Sequence, residues 1–202
     1  MSDKELIWRR LLGGIGNEYG VAGLMGNLQA ESGLISYRVQ GDFSAGYTNS
    51  IEYTNQVNSG AISKSEFVNN GPGGGGYGLA QWTYPPRKQA LYEMWVSGGY
   101  ASIGSLTLAC DYLLYELKNS YYDVYFVLKN ATSIRVASDK VLHDFENPAD
   151  QSVSVEILRA SMGSAIYEEM TGTTPGGGST TTKKKKGYNF VLFNRNRRLI
   201  NG

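Results

Sequence analysis

Cysteine and histidine are nearly absent from this chain. Cys110 is the only thiol and His143 the only imidazole in 202 residues, which excludes an intrachain disulfide framework and any zinc site built from several such ligands. Stability must come from packing, and neither metal nor cofactor is expected. A cysteine hydrolase would need these two residues to meet, but Cys110 closes the apolar run 106–110 (LTLAC), where a buried structural thiol is the plainer reading. Long apolar runs are missing as well, since nothing approaches the roughly 20 residues of a membrane span. The N-terminal MSDKELIWRRLL has neither the apolar stretch nor the small-residue cleavage site of a secretory signal, so synthesis in the cytoplasm without a signal peptide is expected. The glycine run 71–76 (GPGGGG) lacks the Gly-Lys-Ser/Thr ending of a phosphate loop and reads as a connector.

Acids are absent from one region only. Residues 183–202 hold seven of the 19 Lys and Arg and none of the 18 Asp and Glu, so an acidic body of twelve bases against eighteen acids precedes a basic tail. Residues 171–182 (TGTTPGGGSTTT) have the composition of a flexible linker. The expected organisation is a folded domain over 1–170, a linker over 171–182 and a basic, aromatic tail over 183–202. The tail could fold as a small hairpin around Asn194-Arg195-Asn196. It reads as a tether to anionic wall polymers or membrane, or as the opening of a larger module; no nucleic acid is expected as partner.

What is present is mostly helical pattern. Ser2-Asp3-Lys4-Glu5 is a capping box that predicts a helix over about 3–13, broken by Gly13-Gly14. Val21, Leu24, Met25 and Leu28 recur at the spacing of a buried stripe and predict a second helix over about 17–31. Further helices are expected over about 86–97, 105–118, 120–129, 132–145 and 151–169. From 32 to 76 the pattern fails, with only 51–58 and 64–68 fit for short helical turns; its Tyr and Phe content suggests a binding cleft.

Glu31 falls three residues after Leu28 and seven after Leu24, on the apolar stripe at the end of the second helix. Desolvation and the negative end of the helix dipole both disfavour its charged form there. A carboxyl that keeps its proton near neutral pH is what cleavage of a glycosidic bond needs, because the departing sugar oxygen must be protonated. The same position also suits an ordinary solvated acid.

Three blocks in order support the first reading. Residues 23–34 (GLMGNLQAESGL), 77–83 (YGLAQWT), and 144–151 (DFENPADQ) followed by Arg159-Ala160 resemble the phage tail lysozyme family, within the wider lysozyme-like superfamily, over roughly residues 5–169. The resemblance implies a mainly α, α+β lysozyme-like fold: two helical lobes around a substrate cleft, with a small β element between residues 35 and 80. It implies a peptidoglycan glycan-strand hydrolase with Glu31 as general acid and Gln81 positioning substrate or water. Gly78 would admit the sugar close to the backbone, and Tyr77, Trp82 and Tyr84 would offer ring faces to sugars, although Trp82 reads equally as core packing. A second carboxylate is sought among Asp42, Glu52 and Glu66 in the irregular region, with Asp42 preferred for its loop position after a glycine. A lytic transglycosylase and a non-catalytic wall-binding or tail structural protein are the alternatives. The partner implied is bacterial peptidoglycan, reached from a virion, at lysis, or by fusion or binding to phage tail components.

Overall fold

The computed structural model describes residues 1–70 and 75–176. Among these, nine α-helices carry the fold: α1 (Asp3–Ile15), α2 (Glu18–Ser32), α3 (Thr48–Ser59), α4 (Lys64–Asn70), α5 (Pro85–Ser97), α6 (Leu106–Asn119), α7 (Tyr122–Lys129), α8 (Ile134–Val141) and α9 (Val153–Thr171). A 3-10 turn covers Ala45–Tyr47, and a π-helical turn, Leu142–Glu146, continues α8. The architecture is mainly α and lysozyme-like. Most of the linker and all of the basic tail lie outside the described residues, as do residues 71–74 of the glycine-rich connector.

The helix ends follow their local chemistry. Ser2 and Glu5 form the expected reciprocal capping box, and Asn17, Ser105 and Ser133 accept from backbone amides at the starts of α2, α6 and α8. Pro85 and Pro86 open α5 where their missing amides cost nothing. Gly13-Gly14 does not break α1, contrary to expectation. The helix runs through them to a left-handed Gly16, and Gly14 lies against Leu114.

α2 is the central element. It packs against α1, α7, α8 and α9 and buries Leu24, Met25 and Leu28 completely, each worth about 1.5–3 kcal/mol. Its remaining faces are buried too, because glycines 20, 23 and 26 let neighbouring helices approach within backbone contact. A Cβ at Gly26 would lie 2.7 Å from the Gly163 nitrogen on α9, and one at Gly163 would lie 2.6 Å from the Ala22 carbonyl. This close crossing fixes the register of α9 on α2.

Beyond this centre α4 packs on α5, α5 on α6, and α6 on α1 and α7, while α3 packs on the 3-10 turn. The expected irregular region is therefore more helical than its composition suggests, since α3 alone spans twelve residues. The expected β element reduces to two isolated antiparallel bridges, Val39 with Tyr77 and Tyr77 with Trp82.

Candidate active site

Gly33 and Leu34 both take left-handed backbone angles directly after α2, so the chain swings away and leaves Glu31 on the floor of a groove. The groove has a volume of about 550 Å³ and is bounded by Ala30 and Glu31 from α2, by Arg38, Gln40 and Phe43, by Gln81, Tyr84 and Arg87, and by Glu146 with Pro148.

Glu31 is not set among apolar side chains alone. Its Oε1 accepts from Arg159 Nη2 at 2.5 Å, and the Arg159 side chain is only 9% exposed. Arg159 Nη1 donates to Asn27 Oδ1 at 3.1 Å, and Asn27 Nδ2 donates to the Gly23 carbonyl and to both Ser138 oxygens. A buried polar network joining α2, α8 and α9 thus fixes the orientation of the carboxylate.

A second acid faces the same groove. Glu146 ends the π-helical turn, where the amide of left-handed Asn147 reaches back five residues to the Leu142 carbonyl; such turns are frequent at functional sites. Glu146 Oε1 is sealed from solvent and has no hydrogen-bond partner. Burial and the nearby charge of Glu31 push its carboxyl up to about 8; Arg87 and Arg159 pull it back, and Glu116 adds to the push. Sequence reasoning sought the second acid only in the irregular region. The signal lay in the Phe145-Glu146 block.

Arg87 is aimed into the groove from behind. Its Nε and Nη2 meet Glu116 at 2.5 and 2.9 Å, and its guanidinium lies over the rings of Phe145 and Tyr121. Burial alone would lower its pKa, but the hydrogen bonds and charge of Glu116 outweigh that and raise it. Glu116, itself buried, also accepts from Trp82 Nε1 at 2.8 Å and Tyr112 Oη at 3.2 Å.

The other expected site residues divide. Gln81 lines the groove with φ of 45°, its Nε2 tied to the Arg38 and Gly78 carbonyls, and Tyr84 stands on the rim at 65% exposure. Tyr77 and Trp82 are wholly buried and cannot stack on a sugar: the Tyr77 hydroxyl pairs with Thr54, and Trp82 supports Glu116. Gly78 has no sugar-facing role either. Its φ of 80° and the Trp82 ring, 2.7 Å from where a Cβ would sit, demand glycine for packing.

Asp42 is buried behind the groove. Oδ1 accepts from Ser44 N and Oγ at 2.9 and 2.5 Å, and Oδ2 from Ser50 N and Oγ at 2.8 and 2.6 Å. Burial would raise its pKa, but these four bonds outweigh burial and hold it well below the ordinary range. Asp42 ties the 3-10 turn to α3 and does not line the groove. Glu52 lies exposed on α3, and Glu66 caps α4 through Ser63. Phe43, 90% exposed, joins Tyr84 on the rim, and Arg38 lines the groove with its guanidinium 4.3 Å from the Tyr47 ring.

Cys110 is buried and its thiol pushed up to about 12 by desolvation. His143 pairs instead with Gln151 and Glu156. No group of three or more His, Cys, Asp or Glu among the described residues could hold a metal ion, and no helix among them is long and apolar enough to cross a membrane.

No curated protein and no solved structure matches the chain. The model of the phage tail lysozyme family matches residues 3–170, a span that contains every groove residue described above. The chain belongs to the phage tail lysozyme family, whose activity is lysozyme-like lysis of peptidoglycan.

Proposed function

We propose that the protein is a muramidase that hydrolyses the β-1,4 bond between N-acetylmuramic acid and N-acetylglucosamine, with Glu31 as general acid. The observation that carries this reading is the placement of Glu31 on the floor of an open groove, oriented by Arg159 and accompanied by a second carboxyl, Glu146. Cleavage needs an acid held where the departing sugar oxygen will lie, and the groove floor supplies Glu31 with Glu146 lining the same groove.

Glu31 protonates the glycosidic oxygen as the C–O bond breaks. Phe43 and Tyr84 present exposed rings on the rim, suited to the apolar faces of pyranose rings. Gln81 is held by two backbone carbonyls and keeps Oε1 available to a sugar hydroxyl or an attacking water. Arg38 brings positive charge to a substrate whose stem peptides are acidic.

Mass spectrometry of fragments released from purified bacterial walls tests the proposal. Fragments ending in reducing muramic acid are expected. Anhydromuramic ends would replace hydrolysis by lytic transglycosylation, and wall binding without release would make the groove a non-catalytic module.

A further inference from the structure

Glu146 is the groove's unexplained group: a carboxyl at a site open to substrate, with one oxygen sealed and unpartnered. A structural carboxylate would normally be hydrogen-bonded in its charged form, as Asp42 is. Glu146 receives no such bond, although Arg87 and Arg159 stand near enough to act on its charge. Both guanidiniums are committed elsewhere, Arg87 to Glu116 and Arg159 to Glu31 and Asn27. The fold therefore pairs Glu31 as an anion and leaves Glu146 unpaired beside it.

We propose that Glu146 is a positioning residue that holds the proton which Glu31 delivers, so that the two carboxyls work as one acid holding a single proton. This rests on the glycan-cleaving reading above. In the resting groove the proton sits on Glu146 and the negative charge on Glu31, facing Arg159. When glycan displaces water from around Glu31, the proton passes from Glu146 to Glu31, and the charge left on Glu146 is offset by Arg87 and Arg159. Glu31 then gives that proton to the leaving oxygen as the glycosidic bond breaks. Water adds to the sugar carbon and its proton returns to the pair, which regains its single proton and single negative charge. The charged groups that act on Glu146 are Glu31 of α2, Arg87 of α5, Glu116 of α6 and Arg159 of α9. Burial raises its pKa to about 8, in the same direction as the charge of Glu31, as a site that carries a proton at neutral pH requires.

Glu146→Gln keeps the shape of a neutral carboxyl but cannot release a proton. The expected result on walls is a fall in kcat of more than about tenfold with KM nearly unchanged, and a shift of the basic limb of the pH–rate profile toward acid, because Glu31 has lost its proton source. Parental kcat and an unmoved profile in this variant would overturn the proposal and leave Glu146 a packing residue. Infrared titration of the wild-type protein and of Glu31→Gln reads the pair without turnover. A protonated carboxyl band should persist at neutral pH in the wild type and titrate at lower pH in Glu31→Gln, where the neighbouring charge is gone. Absence of that band, or an unchanged midpoint, would refute the pair even if Glu146→Gln fails to fold. Wild-type protein that shows the band and its shift but leaves walls intact would instead refute the glycan-cleaving reading.

Discussion

Replacing Arg159 by methionine keeps most of the apolar stem and removes the guanidinium that joins α9 to α2. Asn27 is fully buried, so its Oδ1 would lose its donor with no water to replace it, at a cost of about 1–3 kcal/mol. The Glu31 side chain is 21% exposed and recovers part of its hydration, which limits the loss of its charged hydrogen bond to about 1–2 kcal/mol. Together these predict a loss of about 2–5 kcal/mol, or roughly 4–20 °C in Tm for a domain of this size. Thermal and urea denaturation followed by circular dichroism measures the loss. A double-mutant cycle with Glu31→Gln isolates the pair, with a coupling of about 1–2 kcal/mol expected. An Arg159→Met protein that melts within about 2 °C of the parent, with additive effects in the cycle, would refute the claim that this network sets the geometry of the groove floor.

Other consequences follow from the same contacts. Asp42→Asn should lower stability by about 2–3 kcal/mol through lost charged hydrogen bonds to Ser44 and Ser50; a protein with parental Tm but abolished wall lysis would instead make Asp42 catalytic. Gly26→Ala forces a Cβ into the Gly163 backbone and should cost about 2–3 kcal/mol while reducing lysis, as α9 and Arg159 move; parental stability in urea would contradict the close crossing. The Glu146 pKa is raised from its ordinary 4.5 to about 8, so its contribution to stability is fully present below about pH 4.5 and is lost as pH rises through about 8. Unfolding free energy measured across that window should therefore fall with pH in the wild type and flatten in Glu146→Gln; equal slopes would contradict the shift.

The elements legible in the sequence were those fixed by neighbours along the chain. The Ser2–Glu5 capping box, the Leu24–Leu28 stripe and the Pro85-Pro86 start depend on spacings of a few residues and appear as expected. Glu31 at the groove could be placed in the same way, but its setting could not, because Arg159 lies 128 residues away. The same limit hid the use of Trp82, whose indole serves Glu116 thirty-four residues on, and made a buried aromatic look like a sugar platform. Asp42 misled for a different reason: a loop acid after glycine reads as exposed until Ser44 and Ser50 are seen to fold around it. Glu146 was hidden by the π-helical turn, which departs from the 3.6-residue period used to assign faces.

The most direct test of the account is the rate at which reducing ends appear on purified walls treated with wild-type protein and with Glu31→Gln, a variant that keeps an acceptor oxygen for Arg159. The account predicts that the variant binds walls and stays folded, losing no more than about 2 kcal/mol of stability, yet releases ends about a hundredfold or more slowly. Release at the parental rate would contradict it.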